Sequence, residues 1–151
     1  DAATAADIVI MAAAVADYRP ASVSDQKLTK EQGVLTHLEL VENEDVVAAL
    51  AAARAAGAAP EGQTIVAFAA ETPSADGGEE EMLARARRKR ERKGVDVLVV
   101  NEVGWEQGFE VADNEVRVIG PDGVVVASAC GSKSQVAAEI WNSLVAMRPL
   151  P

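Results

Sequence analysis

Residues 7–14 (DIVIMAAA), 64–70 (TIVAFAA) and 95–100 (VDVLVV) are short apolar runs. Their length and their Val and Ile content predict strands buried on both faces. Residues 34–41 (VLTHLELV) predict a strand with one partly polar face. Between these runs the pattern changes to helical signals. Asn43 is a good N-cap, and Glu44 and Asp45 suit the positive end of a helix dipole. That helix is predicted to run through Leu50 to about Ala56, where Gly57 stops it. Residues 79–93 are acidic at the start and basic at the end, and Gly94 follows. This charge order complements a helix dipole. Residues 116–119 and 124–127 flank Gly120-Pro121-Asp122-Gly123, a hairpin turn. Ser132 and Gln135 form a capping box for a last helix, 133–147. Val136, Ile140, Leu144 and Val145 give that helix one apolar stripe. Residues 15–33 and 72–78 read as loops, and residues 1–6 as the end of a helix.

Apolar strands alternating with helices imply an α/β fold: a Rossmann-like parallel sheet flanked by helices, with an antiparallel hairpin at one edge. A length of 151 residues suits one domain. The first buried strand follows almost at once on residue 1, which is an abrupt start for a doubly wound domain, so more chain is expected upstream. Aromatics are only 3%, so the core must be built from Val, Ile, Leu and Ala.

The net charge of −10 argues against non-specific binding to nucleic acid or to an anionic membrane surface. No apolar run reaches the roughly 18 residues needed to span a bilayer, and no basic-then-apolar leader opens the chain. A single cysteine, Cys130, excludes an internal disulfide and fits a reducing cytoplasm. Cys130 ends an apolar run with no histidine nearby and reads as structural. The single histidine, His37, reads the same way. One of each leaves little material for a zinc site or a Cys-His dyad.

The strongest chemical signal is in helix 79–93. Seven of the 14 Lys and Arg residues lie between Arg85 and Lys93. Lys89 and Lys93 are four apart and share one face, where two ammonium groups would suit a polyanion such as a triphosphate. Arg87, Arg88, Arg90 and Arg92 point elsewhere. The bland alternative is a solvated basic face. A second signal is the turn from Ala12 to Pro20, which leaves the carboxyl end of a buried strand, where ligands of open α/β sheets bind. Its small residues allow close backbone approach, and Asp17 can accept hydrogen bonds from ribose hydroxyls or an exocyclic amine. The bland alternative there is an Asp17–Arg19 ion pair. The helix opening after Asn43 offers free amides for phosphate oxygens, although Glu44 and Asp45 would repel an anion. Neither G-x-G-x-x-G nor a Walker A sequence occurs.

Read together, these segments resemble the bacterial phosphopantothenoylcysteine synthetase family. MAAAVADYRP, residues 11–20, looks like that family's signature turn. Lys27-Leu28-Thr29-Lys30 resembles its K-x-K-K element, with Thr29 in place of the usual basic residue. VENEDVV at 41–47 resembles V-x-N-P-D-I-V, with Glu44 replacing the proline. FAAET at 68–72, Lys89 and Lys93 before Gly94-Val95-Asp96, Asn101-Glu102-Val103, and the later Gly108-Phe109 and Asp113-Asn114 complete the order. The likeness covers essentially the whole chain.

The resemblance implies an enzyme in which CTP activates the carboxylate of 4′-phosphopantothenate as an acyl-cytidylate, and L-cysteine then displaces CMP. It implies Mg2+ with the CTP, no assignable metal ligands, a homodimer and a cytoplasmic setting. It also implies a flavin-dependent decarboxylase, fused or associated, with FMN only in that other domain. Carried over residue by residue, it places the nucleoside against Met11, Ala12, Ala13 and Asp17, with Phe68 lining the same pocket. It brings the backbone of Glu44, Asp45, Val46 and Val47 to the nucleotide. It sets Lys27, the candidate catalytic residue, with Lys89 and Lys93 on the phosphates. Residues 33–41 and the loop before them become the candidate dimer contact. The family's upstream segment T-N-x-S-S-G-x-x-G is not in this sequence, so the chain reads as the carboxy-terminal part of a single synthetase domain. A non-catalytic nucleotide-binding or regulatory module is the alternative. A fragment of a Rossmann-type dehydrogenase is a weaker one, given the missing dinucleotide fingerprint.

Overall fold

The structure, a computed structural model, describes residues 2–27, 37–73, 77–103 and 114–148. After a 3-10 turn at Ala2–Ala5, the elements are β1 (Ile8–Met11), β2 (Tyr18–Pro20), β3 (Leu40–Glu42), α1 (Val46–Ala55), β4 (Thr64–Glu71), α2 (Gly78–Lys93), β5 (Val97–Glu102), β6 (Asn114–Ile119), β7 (Val125–Gly131) and α3 (Lys133–Met147). They fall into two compact units. One comprises Asp1–Ala12 and Val47–Pro151, the other Ala13–Val46.

The larger unit is built on a five-stranded sheet in the order β1-β4-β5-β6-β7. β1, β4 and β5 run parallel, as their largely apolar sequences favour. β6 and β7 are antiparallel, and their hairpin forms the edge predicted from Gly120–Gly123. The sheet buries both faces. Ile65, Ala67, Ala69, Leu98 and Val100 meet Val47 and Ala51 of α1 and Met82 and Ala86 of α2. Val66, Val97, Val99, Val116 and Val118 face the other way and meet Val136, Ile140 and Leu144 of α3. Alternation along each strand assigns these sides. Full burial of each Val, Leu or Ile contributes about 1.5–3 kcal/mol, so two thin aliphatic layers suffice where aromatics are scarce.

Helix ends follow their local chemistry. Gly94 adopts φ 67°, and its N–H caps the carbonyls of Arg90 and Glu91. A side chain there is disfavoured twice, by that left-handed conformation and by Ala51, whose Cβ would lie 3.3 Å from an added Cβ. Ser132 and Gln135 make the predicted capping box at the start of α3. Across the amino ends of β4 and β5, Asp96 accepts hydrogen bonds from Arg54 of α1 and, at 2.7 Å, from the N–H of Ile65. Arg54 also donates to the carbonyl of Gln63 at 2.7 Å. Gln63, a buried polar residue, donates to Ala3 and Ala6, each at 2.8 Å. Arg117 on β6 joins Glu115 to Glu79 in the first turn of α2, each at 2.8 Å. The Glu115 hydrogen bond is the main cause that raises its guanidinium above the usual range, against the opposing effect of desolvation.

The smaller unit contains the β2–β3 antiparallel pair, with Tyr18 opposite Glu42 and Pro20 opposite Leu40. Three expectations are corrected here. Tyr18–Pro20 is a strand and not loop. The strand expected over 34–41 starts only at Leu40; His37, Leu38 and Glu39 precede it, and 34–36 lie outside the described residues. Helix α1 begins at Val46, because Asn43 spends its side chain elsewhere. Its Nδ2 donates to the Ala16 carbonyl at 2.7 Å, and its Oδ1 accepts from Arg19 at 2.8 Å. No helix among the described residues is long and apolar enough to cross a membrane.

Candidate nucleotide site

Parallel pairing sets Met11 opposite Ala67. Ala12 therefore leaves the sheet beside Phe68, at the carboxyl ends of neighbouring strands. Here small side chains expose the backbone, and Phe68 keeps 38% of its surface exposed although it stands in a central strand. Met11 packs against the α1–α2 side of the sheet. Phe68 follows the alternation of Val66 and faces the α3 side. A ligand that meets both must lie across the carboxyl edge of β4.

Glu71, the last residue of β4, alternates onto the α2 side. Its side chain is only 11% exposed and gathers two cations. Lys89 Nζ donates to Glu71 Oε1 at 2.7 Å. Arg85 Nε lies 3.6 Å from Glu71 Oε2, and Arg85 also donates to the Thr72 carbonyl at 2.7 Å. Lys89 is therefore drawn toward the strand end. Lys93, half-buried, sits one turn further along α2, about 6 Å down the axis. On α1, Val47 and Ala51 are buried, and Ala51 Cβ would lie 3.3 Å from a Cβ added at Gly94. The remaining basic residues of α2 divide unexpectedly. Arg87 donates to the Gly123 carbonyl at 2.8 Å, and Arg90 reaches the Val95 carbonyl at 3.3 Å, so both are structural ties. Arg88 and Arg92 are exposed.

In the smaller unit, Ala13, Asp17, Lys27, Glu44, Asp45 and Val46 are all exposed. The Asp17 main chain is fixed, since its carbonyl accepts from the Asn43 N–H at 2.8 Å. Arg19 does not pair with Asp17. It donates to Asn43 Oδ1 and, at 3.1 Å, to the Glu42 carbonyl. The turn that presents Asp17 is thus held by Asn43. Lys27 is described, but Leu28, Thr29 and Lys30 of the same element lie outside the described residues, as do Gly108, Phe109 and Asp113.

Two side chains make long-range contacts that the local sequence does not signal plainly. Asn43 was read as a helix cap and is a brace. Glu71, within FAAET, holds Lys89. Its signal was present as a carboxylate closing an apolar strand ahead of a basic helix. Among the described residues no three His, Cys, Asp or Glu side chains gather where they could hold a metal.

The DNA/pantothenate metabolism flavoprotein C-terminal domain family matches residues 1–147. The coenzyme A biosynthesis bifunctional protein CoaBC of Mycolicibacterium smegmatis is 45% identical over 141 residues, which is 93% of this chain and 33% of that protein. The CoaBC of Bacillus subtilis is 35% identical over 144 residues, 95% of this chain and 32% of that protein. The chain thus spans about a third of the length of these relatives. A crystal structure of the C-terminal domain of CoaBC superposes with TM-score 0.61 at 27% identity, covering 93% of this chain and 56% of that one. The DNA/pantothenate metabolism flavoprotein from Streptococcus pneumoniae shares the fold, with TM-score 0.61 at 14% identity.

Proposed function

This chain belongs to the DNA/pantothenate metabolism flavoprotein C-terminal domain family, and from that footing we propose that it forms the carboxy-terminal part of a phosphopantothenate–cysteine ligase domain that uses CTP. The observations that carry the reading are that Met11 and Ala12 leave the sheet at the level of Ala67 and Phe68, and that Lys89 is held by Glu71 at the carboxyl end of β4, three residues beyond Phe68. Parallel α/β sheets bind nucleotides at that edge.

The reaction divides into two displacements. A carboxylate oxygen of 4′-phosphopantothenate attacks the α-phosphorus of CTP. The bond to pyrophosphate breaks, and an acyl-cytidylate forms. The amine of L-cysteine then attacks the acyl carbon, an amide forms, CMP departs, and the amine gives up a proton. In the first step negative charge accumulates on the departing pyrophosphate. Lys27, Lys89 and Lys93 are assigned to that charge, as cations positioned before the reaction begins. Asp17 is assigned to the ribose hydroxyls or the cytosine amine, both hydrogen-bond donors. Ala12 and Ala13 admit the flat base close to the backbone, and Phe68 supplies an apolar wall. The amides of Glu44, Asp45, Val46 and Val47 take phosphate oxygens at the start of α1.

The described residues offer no ready carboxylate cage for Mg2+. Mg2+ would accompany the triphosphate and offset its charge, and no residue of this chain is assigned to it. The named relatives are bifunctional, which supports a linked flavin-dependent decarboxylase that carries FMN outside this chain. We further assign the enzyme to the cytoplasm and to a homodimer, with residues 33–41 as the candidate contact.

The test supplies CTP, 4′-phosphopantothenate and L-cysteine to the catalytically competent enzyme. Phosphopantothenoylcysteine and CMP should appear in equal amounts, and CTP should raise the melting temperature more than ATP does. Nucleotide binding with no product would favour the regulatory module instead. Equal protection by CTP and ATP would remove the base-reading role of residues 11–17.

A further inference from the structure

We propose that Glu71 is a positioning residue for Lys89: it fixes the lysine ammonium at the carboxyl edge of β4, where the nucleotide phosphates arrive. The inference rests on the reading of Lys89 as a phosphate ligand and adds a residue to which no role had been assigned.

Four observations support it. Glu71 is the last residue of β4, and its backbone is tied on both sides: it pairs with Glu102 of β5, and its carbonyl accepts from the Val103 N–H at 2.9 Å. The carboxylate therefore stands on a rigid part of the sheet. Its side chain is 11% exposed, so little water competes for it. Lys89 approaches to 2.7 Å from a flexible four-carbon stem that alone would not fix its charge. Lastly, an ammonium has three N–H donors, and Glu71 uses the direction toward the strand, which leaves two for an anion beyond the sheet edge. A buried carboxylate also raises the cost of moving Lys89 away, because the departing lysine would strand it. Arg85 shares the carboxylate at 3.6 Å, but it is also held by Thr72 and by Glu81 at 3.3 Å. It serves as the internal control.

The experiment compares Lys89→Gln, Glu71→Gln, Glu71→Asp, Arg85→Gln and the Glu71→Gln/Lys89→Gln double variant in the catalytically competent enzyme. CTP affinity, KM and kcat are measured beside melting temperature. Glu71→Gln should raise the CTP dissociation constant about tenfold, the loss of one charge-assisted hydrogen bond. In the Lys89→Gln background the same change should cost nothing further, since a positioning residue has no effect without the group it positions. Glu71→Asp should restore part of the affinity, and Arg85→Gln should leave it within about twofold, as expected of a partly exposed ion pair.

Equal losses from Glu71→Gln in both backgrounds would overturn the proposal by revealing a role independent of Lys89. A gain in CTP affinity would also overturn it, because Glu71 would then be competing with the phosphates. Should Lys89→Gln alone change nothing, the assignment of Lys89 to the phosphates fails first. A loss at Lys89 with none at Glu71 sinks this inference only.

Discussion

The main-chain N–H of Asn43 donates to the Asp17 carbonyl at 2.8 Å, and the Asn43 side chain reaches the Ala16 carbonyl beside it. Two segments 26 residues apart in sequence are thereby fixed to each other. The main-chain bond survives substitution by any residue but proline, and the side-chain bonds do not. Asn43→Ala removes the bonds to Ala16 and Arg19, each worth about 0.5–1.5 kcal/mol. CTP affinity should fall about tenfold if the Asp17 turn reads the nucleotide, since about 1.4 kcal/mol corresponds to a factor of ten. The melting temperature should fall by no more than a few degrees. Calorimetric titration with CTP checks this, and an unchanged dissociation constant would separate Asn43 from the site.

The basic helix gives a sharper comparison than charge counting. Lys89→Gln and Lys93→Gln should each lower kcat/KM for CTP by about one to two decades, the value of a desolvated charge-assisted contact. Arg88→Gln and Arg92→Gln, which are exposed, should cost about 0–1 kcal/mol and lose most of that in salt. Four equal, salt-sensitive losses would mean a diffuse positive field with no specific lysine pair.

Arg87 belongs to a different experiment. Its Nε bonds the Gly123 carbonyl and ties α2 to the β6–β7 turn. Arg87→Gln should lower stability by about 1 kcal/mol and leave CTP affinity alone. Urea unfolding distinguishes the two effects: the midpoint should drop with an unchanged slope. A tenfold loss of CTP affinity at unchanged stability would return Arg87 to the ligand.

Asp96 should prove more important to stability than any surface charge. Replacing it with Ala leaves the buried Ile65 N–H without its acceptor and Arg54 without its carboxylate. An orphaned buried donor costs about 1–3 kcal/mol, before any loss from the partly exposed ion pair. Asp96→Asn keeps an acceptor for Ile65 and should recover about half of the loss. Equal destabilisation by Ala and Asn would show that charge, and not the hydrogen bond, holds the clasp.

Local signals in the sequence predicted local structure well. Ser132 and Gln135 predicted a capping box, Gly94 the end of a helix, and Gly120–Gly123 a turn, because each depends on neighbours a few residues away. The parallel core and its hairpin edge followed from apolar strands alternating with helices, but the strand order did not. What stayed hidden depends on pairings across the chain. Tyr18–Pro20 is three residues long, contains a proline, and becomes a strand only through Leu40–Glu42. Asn43 looked like a cap because nothing nearby reveals that Ala16 and Arg19 will claim its amide. Glu71 falls just past the strand predicted over 64–70, and its partner arrives 18 residues later. The family resemblance supplied candidate ligand residues, but it could not say which of the α2 arginines are structural ties.

The strand order also implies an order of assembly. β6 and β7 are joined by a tight turn, and β5 joins β6 across about twenty residues, with Leu98 opposite Ile119. β4 must wait for a crossover of about thirty residues, with Val66 opposite Val97. β1 comes from furthest away, with Ile8 opposite Thr64. Loop-closure entropy grows with each of these spans, and non-local pairings form late. In pulsed hydrogen exchange during refolding, amides of β1 should therefore gain protection after those of β5–β7. Until then Ala12 has no place beside Phe68, so the proposed nucleotide edge should be the last part of the sheet to form, and a ligand bound there should slow unfolding from that same end.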